Sequence, residues 1–186
     1  MQLISKGMYA AVYSPREDLV IEPLDQALFG ANFYYFRVGG VAVSDEVVPM
    51  TEPVTVPPGA SIRVFTLERF VLSERVLGLI GPCSEFVLGG FSLAHSPTVD
   101  PGFAGALEVV IRNPSDAARA VYPGMKIGKA VFFDVSDSLL DLHRYIDHQK
   151  HEAGFRERRR IGDDLFKFWK EKIVDAEGPI QERIRL

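Results

Sequence analysis

Val99-Asp100-Pro101-Gly102-Phe103-Ala104-Gly105 and Tyr122-Pro123-Gly124-Met125-Lys126-Ile127-Gly128 are the two stretches on which the reading of this chain turns. Each sets a proline beside a glycine ahead of an apolar run. Proline fixes φ and glycine admits positive φ, so both read as tight turns feeding strands. Phe103 follows the first turn as a packing residue, and Gly105 lets another backbone come close. Working outward, similar punctuation recurs at Gly39-Gly40, Pro57-Pro58-Gly59, Gly81-Pro82, Gly89-Gly90 and Asn113-Pro114. The runs between predict strands at Tyr34–Val43, Ser61–Leu67, Val76–Ile80, Leu107–Arg112 and Ala130–Asp134. None is followed by enough helix for a parallel α/β sheet, so the expected fold is mainly β, a sandwich or barrel.

After Val135 the texture changes. Residues 137–152 and 163–176 are polar with apolar residues at helical spacing, and Ile161, Leu165, Trp169 and Ile173 fall on one helical face. Gly154 is expected to separate two helices, with Asp163 or Asp164 capping the second after Gly162. The tail from Glu177 reads as extended. The expected organisation is a β domain over 1–135 and a helical extension with tail over 136–186.

The chain has 186 residues and a formal charge of -4, from 21 Lys and Arg against 25 Asp and Glu. That balance excludes a general nucleic-acid-coating role. A single cysteine, Cys83, excludes an intramolecular disulfide and a Cys-rich zinc site. The first residues show no signal peptide, and no stretch approaches the roughly 18 apolar residues that span a bilayer. The expected location is cytoplasmic, with no membrane partner.

From Phe65 to Val135 the chain resembles the dCTP deaminase branch of the dUTPase superfamily. The resemblance rests on Thr66-Leu67-Glu68, Gly81-Pro82-Cys83-Ser84, the two turn words, and Asn113 between them. Upstream, Gly30-Ala31 and Arg37-Val38-Gly39 match more loosely. Where the family has an aspartate before that arginine, this chain offers Tyr34 and Tyr35. The resemblance implies a distorted β-barrel of the dUTPase-like β-clip kind, a homotrimer with active sites at subunit boundaries, and a pyrimidine deoxynucleotide ligand.

It also implies where the chemistry should lie. The family's proton-carrying glutamate stands three residues before the asparagine; here that position is Val110, which moves no proton. The phosphate-binding Gly-Arg-Ser-Ser word, with a further Arg beyond it, becomes Gly81-Pro82-Cys83-Ser84 with Val87 at the later place. Losing both arginines forfeits charge-assisted hydrogen bonds of about 1.5–3 kcal/mol each. Pro82 removes a backbone N–H as well.

The remaining candidates are Glu108 and Asp100 as catalytic carboxylates, with Ser84, His95, Ser96 and Lys129 as substrate-binding residues. Lys129 stands where related dUTPases carry a Gln. Glu108 lies two residues before Val110, hence on the same strand face and about 6.5 Å along it. Filling the glutamate's place would need a shifted register compensated before Asn113. A dUTPase reading gives Asp100 the catalytic role, with Mg²⁺ on the triphosphate, but the Gly-rich closing arm is replaced by the helical tail. No resident cofactor or metal is expected.

Other groups have plainer readings. His143, His148 and His151 belong to an exposed helix. Arg156, Arg158, Arg159 and Arg160 form a salt-bridged connector. Phe166, Phe168 and Trp169 are packing anchors. Cys83 is a nucleophile only with His95 beside it. Two functions follow: a dCTP deaminase-like protein without the chemistry, serving as a trimeric scaffold or nucleotide binder, or an active deaminase forming dUTP through Glu108.

Overall fold

The computed structural model describes residues 2–3, 18–44, 46–136 and 153–175, with side chains of the last segment described from 160 to 172. The sheet strands are β1 (Gln2–Leu3), β2 (Leu19–Glu22), β3 (Tyr34–Val43), β4 (Glu46–Pro49), β6 (Ser61–Leu72), β7 (Val76–Pro82), β8 (Ser92–Ala94), β9 (Thr98–Val99), β10 (Ala104–Arg112) and β12 (Lys126–Asp134). Two further strands, β5 (Val54–Val56) and β11 (Arg119–Val121), make a separate ribbon. The helices are α1 (Ser84–Leu88) and α2 (Ala153–Asp175). The ten-stranded antiparallel sheet runs β8-β10-β6-β3-β12-β7-β9, with β1 added to β12, β2 to β6 and β4 to β3. It curls into a half-barrel, the expected mainly β architecture with a C-terminal helix.

The inner face is made by alternation. Tyr34, Phe36 and Val38 of β3, Phe70 and Leu72 of β6, Leu107, Val109 and Ile111 of β10, and Ile127, Ala130 and Phe132 of β12 are all buried. Burying each large apolar side chain contributes about 1.5–3 kcal/mol. The two turns sit where the sequence puts them. Gly102 and Gly124 have φ of 79° and 71°, and Phe103 N–H and Met125 N–H donate back to the carbonyls of Asp100 and Tyr122. The five expected strands are all present, and β3 has the expected bounds. The other four are longer than expected; in β6, β10 and β12 bulges carry the pairing through glycine and polar words, while β7 runs on unbroken beside β12.

Helix α2 lies on the outer face, where Leu165 packs with Phe65 and Ala106 and half-buried Ile161 joins them. Its start corrects the expectation. Gly154 lies inside the helix, and Asp163 and Asp164 are mid-helix, not caps. The reason is packing. A Cβ on Gly162 would stand 2.5 Å from Ala106 N and 2.7 Å from Gly105 Cα. Glycine at 162 is the residue that lets two backbones meet, and Gly105 is the expected close-approach partner. Asp163 accepts from Arg69 Nε at 2.6 Å, and Arg69 also reaches Glu22 at 3.1 Å. The expected helix over 137–152, its histidines, the side chains of Arg156, Arg158, Arg159 and Ile173, and the tail all lie outside the described residues. Among those described, no helix is long and apolar enough to cross a membrane.

Candidate active site

Two charged clusters are built from the same central strands. The first closes around Glu68. Between the pairs Arg69↔Ala106 and Phe65↔Glu108, β6 carries Thr66, Leu67 and Glu68 where β10 carries only Leu107. Gly39 in β3 and Ile127 in β12 are further unmatched residues. Such bulges re-aim side chains. Here they turn Glu68 wholly inward, where its Oε2 accepts from Arg37 N at 2.8 Å and its Oε1 from Arg37 Nε at 2.7 Å. Thr66 Oγ1 donates to Glu68 O and accepts from Leu107 N, the amide freed by the bulge. Burial pushes the Glu68 carboxyl above its usual range, and the Arg37 cation pulls it back. Burial also opposes the Arg37 charge, yet Glu68 beside it holds the guanidinium up.

Arg37 Nη1 reaches a second carboxylate, Asp25, at 3.3 Å. Sequence reasoning missed this residue, because it looked for an aspartate immediately before Arg37. Asp25 also accepts from Ala27 N at the start of a short 3₁₀ turn over Gln26–Leu28, and that capping pattern was the available signal. Tyr34, read as the aspartate's replacement, puts its hydroxyl on Asp25 N at 3.1 Å, and burial pushes its pKa up. Over the cluster, Trp169 Nε1 of α2 donates to Gly39 O at 2.9 Å. A Cβ on Gly39 would stand 2.3 Å from Leu67 Cα.

The second cluster lines a cleft of about 260 Å³ at the seam of the sheet. β9 ends the sheet on one side and β8 beside β10 on the other, and residues 95–97 join these ends. Asp100, His95, Ser96, Glu108, Val110 and Phe103 all line the seam. Four of the six candidate residues therefore meet there. Glu108 is held by Arg63, whose Nε and Nη2 both reach its Oε1 at 2.8 Å. Arg63 stands opposite Val110, so this is a diagonal cross-strand pair. From Glu108 to Arg112, β10 pairs residue for residue with Phe65 to Ser61. The compensating insertion that would slide Glu108 into the place of Val110 is absent. His95 Nδ1 lies 2.6 Å from Ser96 O, and because a carbonyl oxygen only accepts, Nδ1 is the donor in that contact. Ser96 Oγ lies 3.3 Å from Thr98 Oγ1. Asn113 is buried and structural, donating to Val56 O and Ala117 O and accepting from Ser115.

Ser84 and Lys129 do not line this cleft. Ser84 opens α1 on the surface, and Lys129 is exposed on β12. Cys83 points its thiol at Lys126 O, 3.5 Å away, not at His95. Burial pushes that thiol up, which leaves it a packing residue. Among the described residues no three His, Cys, Asp or Glu side chains group to hold a metal. The seam offers carboxylates, an imidazole and hydroxyls around Val110 and Phe103, a set able to hydrogen-bond a polar ligand edge.

The family follows from comparison with known proteins. The family model described as dCTP deaminase-like matches residues 41–135, half of the chain and the whole seam, and the chain belongs to this family. Among its relatives, the Corynebacterium diphtheriae protein named dCTP deaminase, dUMP-forming is 32% identical over 90 residues, 48% of each chain. The match thus spans about half of that relative's length. The Corynebacterium jeikeium protein of the same name is 28% identical over 155 residues, 73% of this chain and 82% of its own. In fold, the chain is similar to the 2'-deoxycytidine 5'-triphosphate deaminase of Agrobacterium tumefaciens, at a TM-score of 0.58 and 16% identity, covering 77% of this chain and 54% of that one.

Proposed function

We propose that this chain is a non-catalytic dCTP deaminase-like protein, a trimeric scaffold or nucleotide binder whose seam accepts a pyrimidine deoxynucleotide without deaminating it. The observation that carries this reading is Val110 at the cleft wall, in the place where the family resemblance puts its glutamate. Deamination at C4 needs a group that takes a proton from water and returns it to the leaving ammonia. Valine does neither, and the neighbouring Glu108 is engaged by Arg63. In this reading Asp100, His95 and Ser96 hold the base edge. The chain divides at Val135 into the nucleotide-binding β domain and a helical extension that braces it. Each seam is completed by a neighbouring copy.

A second reading keeps the enzyme. Glu108 lines the same seam as Asp100 and His95, which favours it as general acid and base in a rearranged site. One assay separates the two. The purified protein is incubated with dCTP or dUTP and Mg²⁺, and ammonia, pyrophosphate and dUMP are followed, since the relatives are named as dUMP-forming. The non-catalytic reading expects no release of any of them, together with a thermal shift by dCTP. Ammonia release that disappears in Glu108→Gln would establish the enzyme instead. Light scattering at assay concentration checks the trimer, and a monomer would remove that part.

A further inference from the structure

α2 touches the sheet at its irregular points. The bulge in β6 and β10 lies between the pairs Arg69↔Ala106 and Phe65↔Glu108, and α2 holds both pairs. On the first, Gly162 sits against the Ala106 amide and Asp163 grips Arg69. On the second, Leu165 packs on Phe65. One turn further on, Trp169 donates to Gly39 O, at the unmatched residue of β3. The β10 segment inside this clamp runs straight into the cleft. Asp100 and Phe103 precede Gly105 and Ala106, Leu107 to Val110 follow them, and all six line the seam. No described side chain of α2 does so.

We propose that α2 is a latch that sets the shape of the seam from the outer face. Docked, it fixes the bulge and holds the β10 wall ready for ligand; undocked, it lets both relax. Two features make it a latch and not a fixed part of the core. Its contact is small and separate, because Phe65, Ala106 and Leu165 form a cluster apart from the barrel core, with half-buried Ile161 beside them. Such a unit opens locally while the larger core stays closed. The bulge is also where the β6–β10 ladder is interrupted, so the wall depends there on side chains, as when Thr66 Oγ1 takes the Leu107 amide. A ligand that binds only the docked arrangement pulls α2 down, and by linkage whatever lifts α2 weakens the ligand. That the ligand is a pyrimidine deoxynucleotide rests on the reading above; the coupling of helix to wall does not.

The test is amide hydrogen exchange of the whole chain, read by mass spectrometry with and without dCTP. Leu165→Ala is expected to speed exchange in residues 160–172 and, by about tenfold or more, in 107–110, while β7 across the cleft keeps its wild-type rate. Asp163→Asn changes a side chain that is 50% exposed, so the barrel stays folded even if Leu165→Ala unfolds it. It is expected to show the same pattern at about twofold. In the wild type dCTP is expected to slow exchange in α2 as well as in the seam, and to bind Leu165→Ala at least about fivefold more weakly. Seam amides at wild-type rates beneath a freed α2 overturn the latch. So does dCTP protection confined to the seam, a result that leaves the nucleotide reading standing. If dCTP protects neither region, the nucleotide reading falls, and the rates in the two variants alone uphold or overturn the latch.

Discussion

Glu68 and Glu108 stand on adjacent strands, and each is paired with one arginine. Glu68 is 0% exposed, and both its carboxylate oxygens are aimed at Arg37, while the Glu108 side chain is 33% exposed and shares its partner with solvent. The bulge at Thr66–Glu68 separates the two environments, because it turns Glu68 inward just where β10 resumes its outward face at Glu108. One family word, Thr66-Leu67-Glu68, thus serves the closure of the sheet. Val110, which the proposed function reads as standing in the proton carrier's place, lines the other cluster's cleft. A fold can be held by one cluster while the adjoining cleft is free to change its chemistry.

That contrast sets the size of four expected effects. Glu68→Gln leaves the buried Arg37 guanidinium with only its longer Asp25 contact and is expected to cost about 3–5 kcal/mol in urea denaturation, enough to unfold much of the population. A loss under 1 kcal/mol would erase the distinction between the clusters. Gly162→Ala forces a methyl against the Ala106 amide and is expected to cost about 1–3 kcal/mol. Trp169 is the only tryptophan, so its fluorescence reports whether α2 has lifted from Gly39. Unchanged emission and stability would mean that the close contact is not tight.

The cleft is expected to respond far less. Glu108→Gln removes an exposed pair and should cost about 0.2–1 kcal/mol in the same measurement. The smallest effect concerns pH. The Ser136 hydroxyl and backbone N–H hold Asp134 below the usual carboxylate range. A depressed folded-state pKa gives stability that is present above the ordinary value of about 3.9 and lost as pH falls through the folded value. Ser136→Ala should therefore lower the Tm slightly at pH 7, and the gap should close in melts below that range. A gap that widens in acid would reverse the assignment.

The strands were legible because proline and glycine mark their ends and alternation marks their faces, and the Ile161-Leu165-Trp169 stripe located α2. What escaped reading depends on partners far away in sequence. Gly162 looks like a helix start until Gly105 is seen beneath it. Asp25 looks like a loop residue until Arg37 is folded back onto it. Bulges leave little trace in alternation, so the expected strand starts at Ala130 although Lys126-Ile127-Gly128 begins it. The meeting of Asp100, His95, Ser96 and Glu108 follows from the sheet ending on both sides of the 95–97 link. No local pattern carries that information.

The order of the sheet bears on how the chain reaches its native state. β3 lies between β6 and β12, so a strand made early in synthesis waits for one made near the end of the β region. Until Lys126–Asp134 has emerged from the ribosome, β3 has a bare hydrogen-bonding edge beside Tyr34 and Phe36. Pairings of such long sequence separation form slowly and expose the nascent chain to aggregation. Arrest or truncation before residue 126 should therefore leave a sticky fragment, not a smaller stable barrel.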